Sequence, residues 1–275
     1  MKFSGSGCLA AALAMAAAIL VGCGTDDVKP AEGDGSVATV DNGPSPTASG
    51  EAEGGTDLPS DEEVEAYFDA VSTYDIDDLE LAMELSEPGS IAEAYAGYIL
   101  ASANSAIDGG VPLEGEEPRK VTGGYESCPP EDPESCATWT DIEGRDGRIV
   151  KFRVNGEDIG DRLAAGNGQS VQAGSLARAE LLYAYRSVQS DALFVLVRIE
   201  SGEAPITVAT YEGTYRAPEG RQSQSSQNSG PTELMGDSSA TVALVFPGAE
   251  VGGTTAFPIY SDDFMTERVV ELKTR

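Results

Sequence analysis

Hydrophobic positions divide the chain into stretches of different character. Residues 9–21 form an unbroken apolar run, whereas residues 24–59 contain almost no large apolar side chain. Through residues 60–110, apolar side chains recur every three or four positions, the spacing of helices that bury one face. Further along, short apolar runs alternate with turn signals, which is typical of β-strands. The pattern therefore predicts an α+β chain in which helices precede antiparallel strands.

Three helices are predicted in the periodic stretch. Two begin at serines, Ser60 and Ser90, each followed three residues later by a glutamate, Glu63 or Glu93, which is the signature of a capping box. The middle helix is expected over about residues 75–85. The side chains expected to face inward are Val64, Tyr67, Phe68, Val71, Ile76, Leu79, Ala82, Met83, Ile91, Tyr95, Tyr98 and Ile99.

Three strand candidates follow the helices, at residues 119–125, 136–142 and 148–154. The Asp146-Gly147 pair lies between the last two and is a hairpin-turn signal. We therefore expect residues 60–165 to form a domain of three helices and an antiparallel sheet.

The remaining residues, 166–275, predict an all-β domain. Its clearest strand is the apolar run at 193–200, and six or seven such runs broken by turns favour a β-sandwich. The segment 216–236 is long and polar, and we expect it to be disordered. The other strand candidates lie at residues 176–188, 206–215, 240–247, 254–259 and 268–272.

This second half resembles the Ig-like domain of unknown function that recurs in secreted and lipid-anchored bacterial proteins. The resemblance rests on the apolar run Phe194–Ile199, the polar arm Tyr215–Gln227, the segment Gly236–Thr241 and the motif Val245–Pro247. It implies an Ig-like β-sandwich and an extracellular address. It implies no known catalytic residue.

The first half is similar to the nuclear-transport-factor-2-like cone fold. The segments Tyr67–Ala70 and Tyr74–Leu79, followed by helices and strands up to residue 154, carry this resemblance. It implies a curved, cone-like sheet that can enclose a pocket. Aromatic side chains would then either pack in a helical core or line the pocket. The pocket candidates are Tyr67, Tyr95, Tyr98 and Trp139.

The chain begins with the features of an export signal. Lys2 precedes the apolar run 9–21, which is too short to span a bilayer. The run leads into Leu20-Val21-Gly22-Cys23, which resembles the lipobox of bacterial lipoproteins. This resemblance implies removal of a signal peptide (residues 1–22) and acylation of Cys23 by lipid chains such as palmitate. Residues 23–59 would then form a disordered acidic tether on the outer face of the cell membrane.

The charge of the chain argues against one class of partner. It contains 17 Lys and Arg against 47 Asp and Glu, for a formal net charge of −30. A surface this acidic repels phosphate backbones, so we do not expect a nucleic acid partner.

Two cysteines remain once Cys8 is assigned to the signal and Cys23 to the lipid. Cys128 and Cys136 are eight positions apart in a proline-rich acidic segment, and in an exported chain such a pair predicts a disulfide. A redox site would favour the C-x-x-C spacing, and zinc requires more ligands than two cysteines in a chain without histidine. We therefore expect no metal and no cofactor.

The residue inventory also limits catalysis. Without histidine, a Ser-His-Asp or Cys-His arrangement is impossible, and we predict no catalytic residue and no enzymatic activity. The leading interpretation is a protein-interaction module with a partner in the cell envelope. The alternative is small-molecule binding in a pocket of the first domain, and a carboxylate-driven hydrolase comes third. A deep pocket lined by Tyr95 or Tyr98 would favour the alternative, and an exposed apolar patch would favour the leading interpretation.

Overall fold

The computed structural model describes residues 58–113, 115–129 and 135–275. The predicted signal peptide, the acylation site Cys23 and nearly all of the predicted tether lie outside the described residues. None of the helices in the described part of the chain is long and apolar enough to cross a membrane.

Three helices open the described chain, as the sequence predicts: α1 (Asp61–Thr73), α2 (Ile76–Leu85) and α3 (Ile91–Asp108). Ser60 caps α1, and its backbone N–H donates to the Glu63 carboxylate at 2.9 Å, which completes the predicted capping box. Ser90 caps α3 in the same way, but Glu93 accepts from the backbone N–H of Gly89 instead.

Five strands between residues 119 and 158 form an antiparallel sheet, the first sheet. Its order follows the chain, and the helices pack on it through an aromatic core. The strand predicted at 119–125 is in fact two strands joined by a turn in which Gly123 has a φ of +84°. The strands are β1 (Arg119–Val121), β2 (Gly124–Ser127), β3 (Ala137–Arg145), β4 (Arg148–Val154) and β5 (Glu157–Asp158).

The rest of the chain forms two antiparallel sheets that share one apolar core, the arrangement of a β-sandwich. Its strands are β6 (Leu163–Ala165), β7 (Ser170–Ala173), β8 (Ala177–Arg186), β9 (Ala192–Ser201), β10 (Ile206–Val208), β11 (Thr214–Arg216), β12 (Gln222–Gln224), β13 (Gln227–Ser229), β14 (Glu233–Leu234), β15 (Ser239–Pro247), β16 (Thr254–Ser261) and β17 (Glu267–Lys273). The inner sheet has the order β13-β15-β9-β8-β6 with β7 on β8, and the outer sheet has the order β12-β11-β16-β10-β14 with β17 on β16.

The prediction that the segment 216–236 is disordered is wrong, because the segment forms paired strands. It contains β12, β13 and β14, which pair with β11, β15 and β10 respectively. Pairing in a sheet uses backbone groups, so polar side chains do not prevent it. The boundary between the two halves also differs, because Leu163–Ala165, placed in the first domain, pairs with β8 of the inner sheet.

Both faces of the inner sheet are covered. In β9, Val195 and Val197 point into the sandwich core, whereas Phe194 and Leu196 face α3. In β8, the pairing register shifts between Leu181 and Tyr183, which places consecutive side chains on the helical side. The helix α3 contacts β4 of the first sheet on one side and β8, β9 and β15 of the inner sheet on the other.

The contact between α3 and the inner sheet is close. A Cβ atom at Gly97 would lie 2.1 Å from the hydroxyl oxygen of Tyr183, so a larger residue at this position would displace the Tyr183 ring. At the end of α3, the Asp108 carboxylate accepts the backbone N–H of Thr241 at 2.7 Å. The helical region and the sandwich therefore share an interface of packed side chains and hydrogen bonds.

Candidate ligand-binding cavity

A cavity of about 290 Å³ lies between α1, α3, the first sheet and the inner sheet. After α3, residues 111–113, Gly115 and Glu116 line it, and the loop after β8 contributes Ser187 to Ser190. The volume is close to the lower end of the range found for small-molecule sites.

Aromatic rings dominate one side of this cavity. Tyr95 and Tyr98 come from α3 and Tyr185 from β8. The Tyr98 and Tyr185 ring centroids are 4.8 Å apart, and the Tyr95 ring meets Tyr185 edge-on at 5.9 Å. Tyr74 and Phe194 also line the cavity. These contacts fix the rings against one another, so the aromatic wall is largely formed in advance.

The phenol groups of this wall stay protonated through the neutral range. Burial raises the pKa of Tyr95 and Tyr98 far above that of a free tyrosine, and it raises the pKa of Tyr185 to about 12. Nearby tyrosines add to the increase for Tyr95 and Tyr98, because two phenolates would repel each other. The wall therefore presents neutral hydroxyl groups that can donate or accept hydrogen bonds.

Trp139 on β3 adds an indole ring to the lining. Its side chain is 2% exposed and lines the cavity, and its ring packs against Phe68 at 5.6 Å. The indole N–H makes no hydrogen bond of standard geometry to any of the described residues. It is close enough to the Tyr95 oxygen to oppose the rise in the pKa of that phenol. The Tyr95 hydroxyl is therefore the partner that this buried donor meets, in a geometry outside the standard range.

The cavity is otherwise poor in charge. Among the described residues that line it, Glu116 is the one ionisable carboxylate, and there is no lysine or arginine. The pair of facing carboxylates that a carboxylate-driven hydrolase needs is not present among these residues.

The predicted disulfide lies at the edge of the cavity. Cys128 and Cys136 are bonded, with their sulfur atoms 2.11 Å apart, as the sequence analysis expected. The adjoining residues Ser127, Pro129 and Ala137 line the cavity. The bridge thus holds together the end of β2 and the start of β3, where these strands border the cavity.

Three of the four predicted pocket residues meet in this cavity, namely Tyr95, Tyr98 and Trp139. Tyr67 does not line it. Its ring is fully buried among the helices and β4, and its hydroxyl donates to the backbone carbonyl of Ala92 at 2.8 Å.

Tyr185 is not among the predicted pocket residues, because the second half is expected to form a separate sandwich. The alternation Tyr183-Ala184-Tyr185 was the available signal, since it places two aromatic rings on the side of the strand opposite Ala184.

Comparisons with other proteins add little to this description. No protein-family model matches the chain, and neither does any curated protein sequence. Among solved structures, the GAE domain of GGA2p from Saccharomyces cerevisiae aligns with 39% of this chain and 96% of its own, at 10% identity and a TM-score of 0.29. An alignment this distant supports no conclusion about fold or function.

Proposed function

We propose that this chain is a lipid-anchored extracytoplasmic protein that binds a small, largely apolar molecule in the aromatic cavity. The observation that carries the proposal is the cavity itself, which is lined by neutral tyrosines and by the indole ring of Trp139. Binding sites for small molecules typically combine an apolar lining with a few placed polar groups. The absence of histidine from the chain supports binding without chemistry.

We also propose the finer class of each of the two regions of the fold. Two antiparallel sheets over one core support an Ig-like sandwich, and three helices packed on an antiparallel sheet support a cone-like first region. The predicted tether would hold both regions away from the bilayer. An aromatic site at this position would suit a molecule that moves between the membrane surface and the surrounding medium.

Ligand binding can be tested with the single tryptophan of the chain, because Trp139 lines the cavity. The full chain is placed in polymer-bounded lipid discs, which contribute no tryptophan, and a library of neutral aromatic compounds is screened by Trp139 fluorescence. Saturable quenching is expected with some of them. The Ala106→Leu variant, which adds a side chain to the cavity lining, is expected to abolish the signal. Quenching that persists unchanged in this variant would reject the cavity as the site.

The anchor has its own test. Cells grown with an alkyne-labelled palmitate are expected to yield a labelled, processed chain, and Cys23→Ala is expected to remove the label. Cys8→Ala is the matched control, because Cys8 lies within the predicted signal peptide. Labelling that survives Cys23→Ala would reject the lipoprotein assignment.

A second candidate function, contact with an envelope protein, is favoured by an exposed apolar patch formed by the β16–β17 turn and the short turn before β11. The patch consists of Tyr211, Phe264 and Met265, which are 56%, 65% and 83% exposed, together with Tyr260, whose ring lies 5.9 Å from that of Phe264. Phe264 also has a φ of +57°, a conformation that favours asparagine or glycine. A phenylalanine held exposed in this conformation is better explained by a contact than by the fold.

This contact is tested by photo-crosslinking from position 265 in intact cells. A reproducible protein adduct is expected, and Phe264→Asn is expected to reduce it while leaving the fold intact. A crosslinker at exposed Ile107 on α3, outside the patch, serves as the control. Equal adducts from both positions would reject the patch as a docking site.

A further inference from the structure

The β16–β17 turn, which carries two members of the apolar patch, is held in shape by its own hydrogen bonds. The Asp263 carboxylate accepts the Ser261 hydroxyl at 2.6 Å and the backbone N–H of Met265 at 3.0 Å. The backbone N–H of Phe264 donates to the carbonyl of Ser261 at 2.8 Å. Phe264 and Met265 are therefore ordered before any partner arrives, which lowers the entropic cost of docking.

Carboxylates lie on both sides of the patch. The Tyr260 hydroxyl donates to Glu212 at 3.3 Å, and Glu267 is the cross-strand partner of Tyr260 in the β16–β17 pair. Asp262 is exposed on the turn itself. None of these three carboxylates forms an ion pair with a lysine or arginine elsewhere in the described ranges. Their charge is therefore available to a partner.

The cations carried by the strands of the outer sheet point or lie away from the patch. Lys273 of β17 and Arg216 of β11 both pair with Thr254, six residues along β16 from Tyr260. At the rise of a β-strand this separation is about 20 Å. Arg268 is closer in sequence, but it leaves β17 on the opposite face and lies against the β7–β8 turn. The patch end of the outer face is thus acidic.

This combination of apolar and acidic groups discriminates between occupants. A lipid bilayer would accept Phe264 and Met265, but the carboxylates beside them would have to approach anionic headgroups or lose their water. A second copy of the chain, docked through the same surface, would bring Glu212 and Glu267 close to like charges. A protein surface with an apolar side chain among lysines or arginines meets neither penalty.

We infer that the patch docks a protein surface that presents an apolar side chain surrounded by lysines or arginines, and that Glu212 and Glu267 select this positive charge. The inference rests on the second candidate function, contact through the patch, and not on the aromatic cavity. It adds the chemistry of the partner and the residues that choose it.

Binding is measured with fluorescein-labelled decapeptides on the full chain in discs of zwitterionic lipid and an uncharged polymer, with empty discs as the blank. The parent peptide has a central Leu-Phe-Leu segment flanked by lysines. One variant replaces the lysines by serine and another replaces them by glutamate. A further variant keeps the lysines and replaces the apolar segment by serines. Fluorescence anisotropy at low salt gives the affinity of each peptide.

The parent peptide is expected to bind most tightly, and added salt should weaken it, because exposed ion pairs are screened. The Glu212→Gln/Glu267→Gln double variant is expected to bind it about fivefold more weakly, the effect of two exposed ion pairs. Glu62→Gln/Glu84→Gln is the matched control, because it removes the same charge from exposed positions of α1 and α2. Its affinity for the parent peptide should stay close to that of the unmodified chain.

The apolar part is tested by Phe264→Asn, which leaves the charge unchanged. Asparagine suits the φ of +57° at this position, so the turn should keep its shape. The variant is expected to weaken binding of the parent peptide. It should leave the weaker binding of the lysine–serine peptide as it is.

The outcomes separate the contact from the choice of partner. If the serine-flanked peptide binds as tightly as the parent, or both double variants weaken binding equally, selection of positive charge is rejected and the contact stands or falls on Phe264→Asn. If the crosslinker at position 265 yields a lipid adduct or a covalent dimer of the chain, the bilayer or a second copy is the occupant and the inference is overturned. If it yields no adduct, and no peptide binds in a way that depends on Phe264, the contact itself fails.

Discussion

The two faces of the inner sheet are built from different side chains. The face toward the outer sheet is mainly aliphatic, and its packing includes Val195, Val197 and Ile199 of β9, all fully buried. The face toward α3 carries Tyr185 and Phe194, and the cavity lies against it. One sheet therefore contributes to a filled core on one side and to a partly empty one on the other.

The difference shows how side-chain chemistry separates stability from binding. Branched aliphatic side chains fill space without polar atoms, and they leave nothing for a ligand to recognise. Tyrosines and tryptophan are rigid and carry polar groups, so they leave space between rings and place donors at its edge. We expect substitutions on the first face to change mainly the free energy of unfolding. Those on the second face should change mainly ligand affinity.

The largest expected effect comes from two phenylalanines on neighbouring strands. Phe246 is fully buried in the sandwich core, and Phe246→Ala is expected to reduce the free energy of unfolding by roughly 3–5 kcal/mol. Phe194 adjoins the cavity and is only partly buried, so Phe194→Ala is expected to cost clearly less. Urea denaturation of both variants measures the difference, and equal losses would contradict the distinction between the faces.

The disulfide lies beside the cavity, so its removal is expected to act mainly on that side of the molecule. Replacing Cys128 and Cys136 by serine is expected to lower the free energy of unfolding by about 2–3 kcal/mol, from the entropy of the short loop that the bridge closes. The loss should appear first as faster hydrogen exchange in β2 and β3, which border the cavity, while β9 and β15 stay protected. Uniform loss of protection in all sheets would show that the bridge supports the whole fold.

An alanine-to-leucine substitution can be made both in the filled sandwich core and in the cavity lining, so that the two sides are compared directly. Ala179 is fully buried in the filled core, and Ala179→Leu is expected to destabilise the chain by about 1–3 kcal/mol through overpacking. Ala106 lines the cavity, so Ala106→Leu should be nearly neutral in thermal unfolding while it abolishes the quenching of Trp139 by ligands. A large loss of stability in Ala106→Leu would mean that the cavity does not tolerate a larger residue.

The smallest expected effect is a dependence on alkaline pH. The pKa of Tyr185 is raised to about 12 by burial, so the folded state holds its phenol proton more tightly than the unfolded chain does. This contribution is complete below about pH 10, the pKa of an unfolded tyrosine, and it is lost as the pH rises towards 12. Urea midpoints across this range should fall less steeply in Tyr185→Phe. Tyr211 is exposed, so Tyr211→Phe is the control. The urea midpoint of this variant should fall with pH almost as steeply as that of the unmodified chain.

Much of the fold is predictable where a local signal matches the final structure. Ser60 and Ser90 mark two helix starts because capping is satisfied within one turn of the chain. The Asp146-Gly147 turn marks the β3–β4 hairpin, since both residues adopt positive φ angles there, +50° and +74°. The short polar strands between residues 222 and 234 escape prediction, because their pairing depends on partners elsewhere in the chain.

The cavity is predictable only in part, for the same reason. Tyr95, Tyr98 and Trp139 lie within the region that was expected to form a pocket, but the wall opposite them comes from the inner sheet. The run Phe194–Ile199 is apolar at nearly every position, a pattern typical of a strand buried on both faces. That pattern indicates a second covering layer, but it does not say which element provides it.

The packing of α3 against the inner sheet also sets an order of events during folding. Its partners are distant in sequence, as the bond between Asp108 and Thr241 shows with a separation of 133 residues. When the chain lengthens from its N-terminus, the helices and the first sheet are complete long before β15 exists. Contacts of such long range form slowly. The aromatic face of α3 must therefore stay uncovered for an interval, and a chaperone that shields apolar surface would act at this stage.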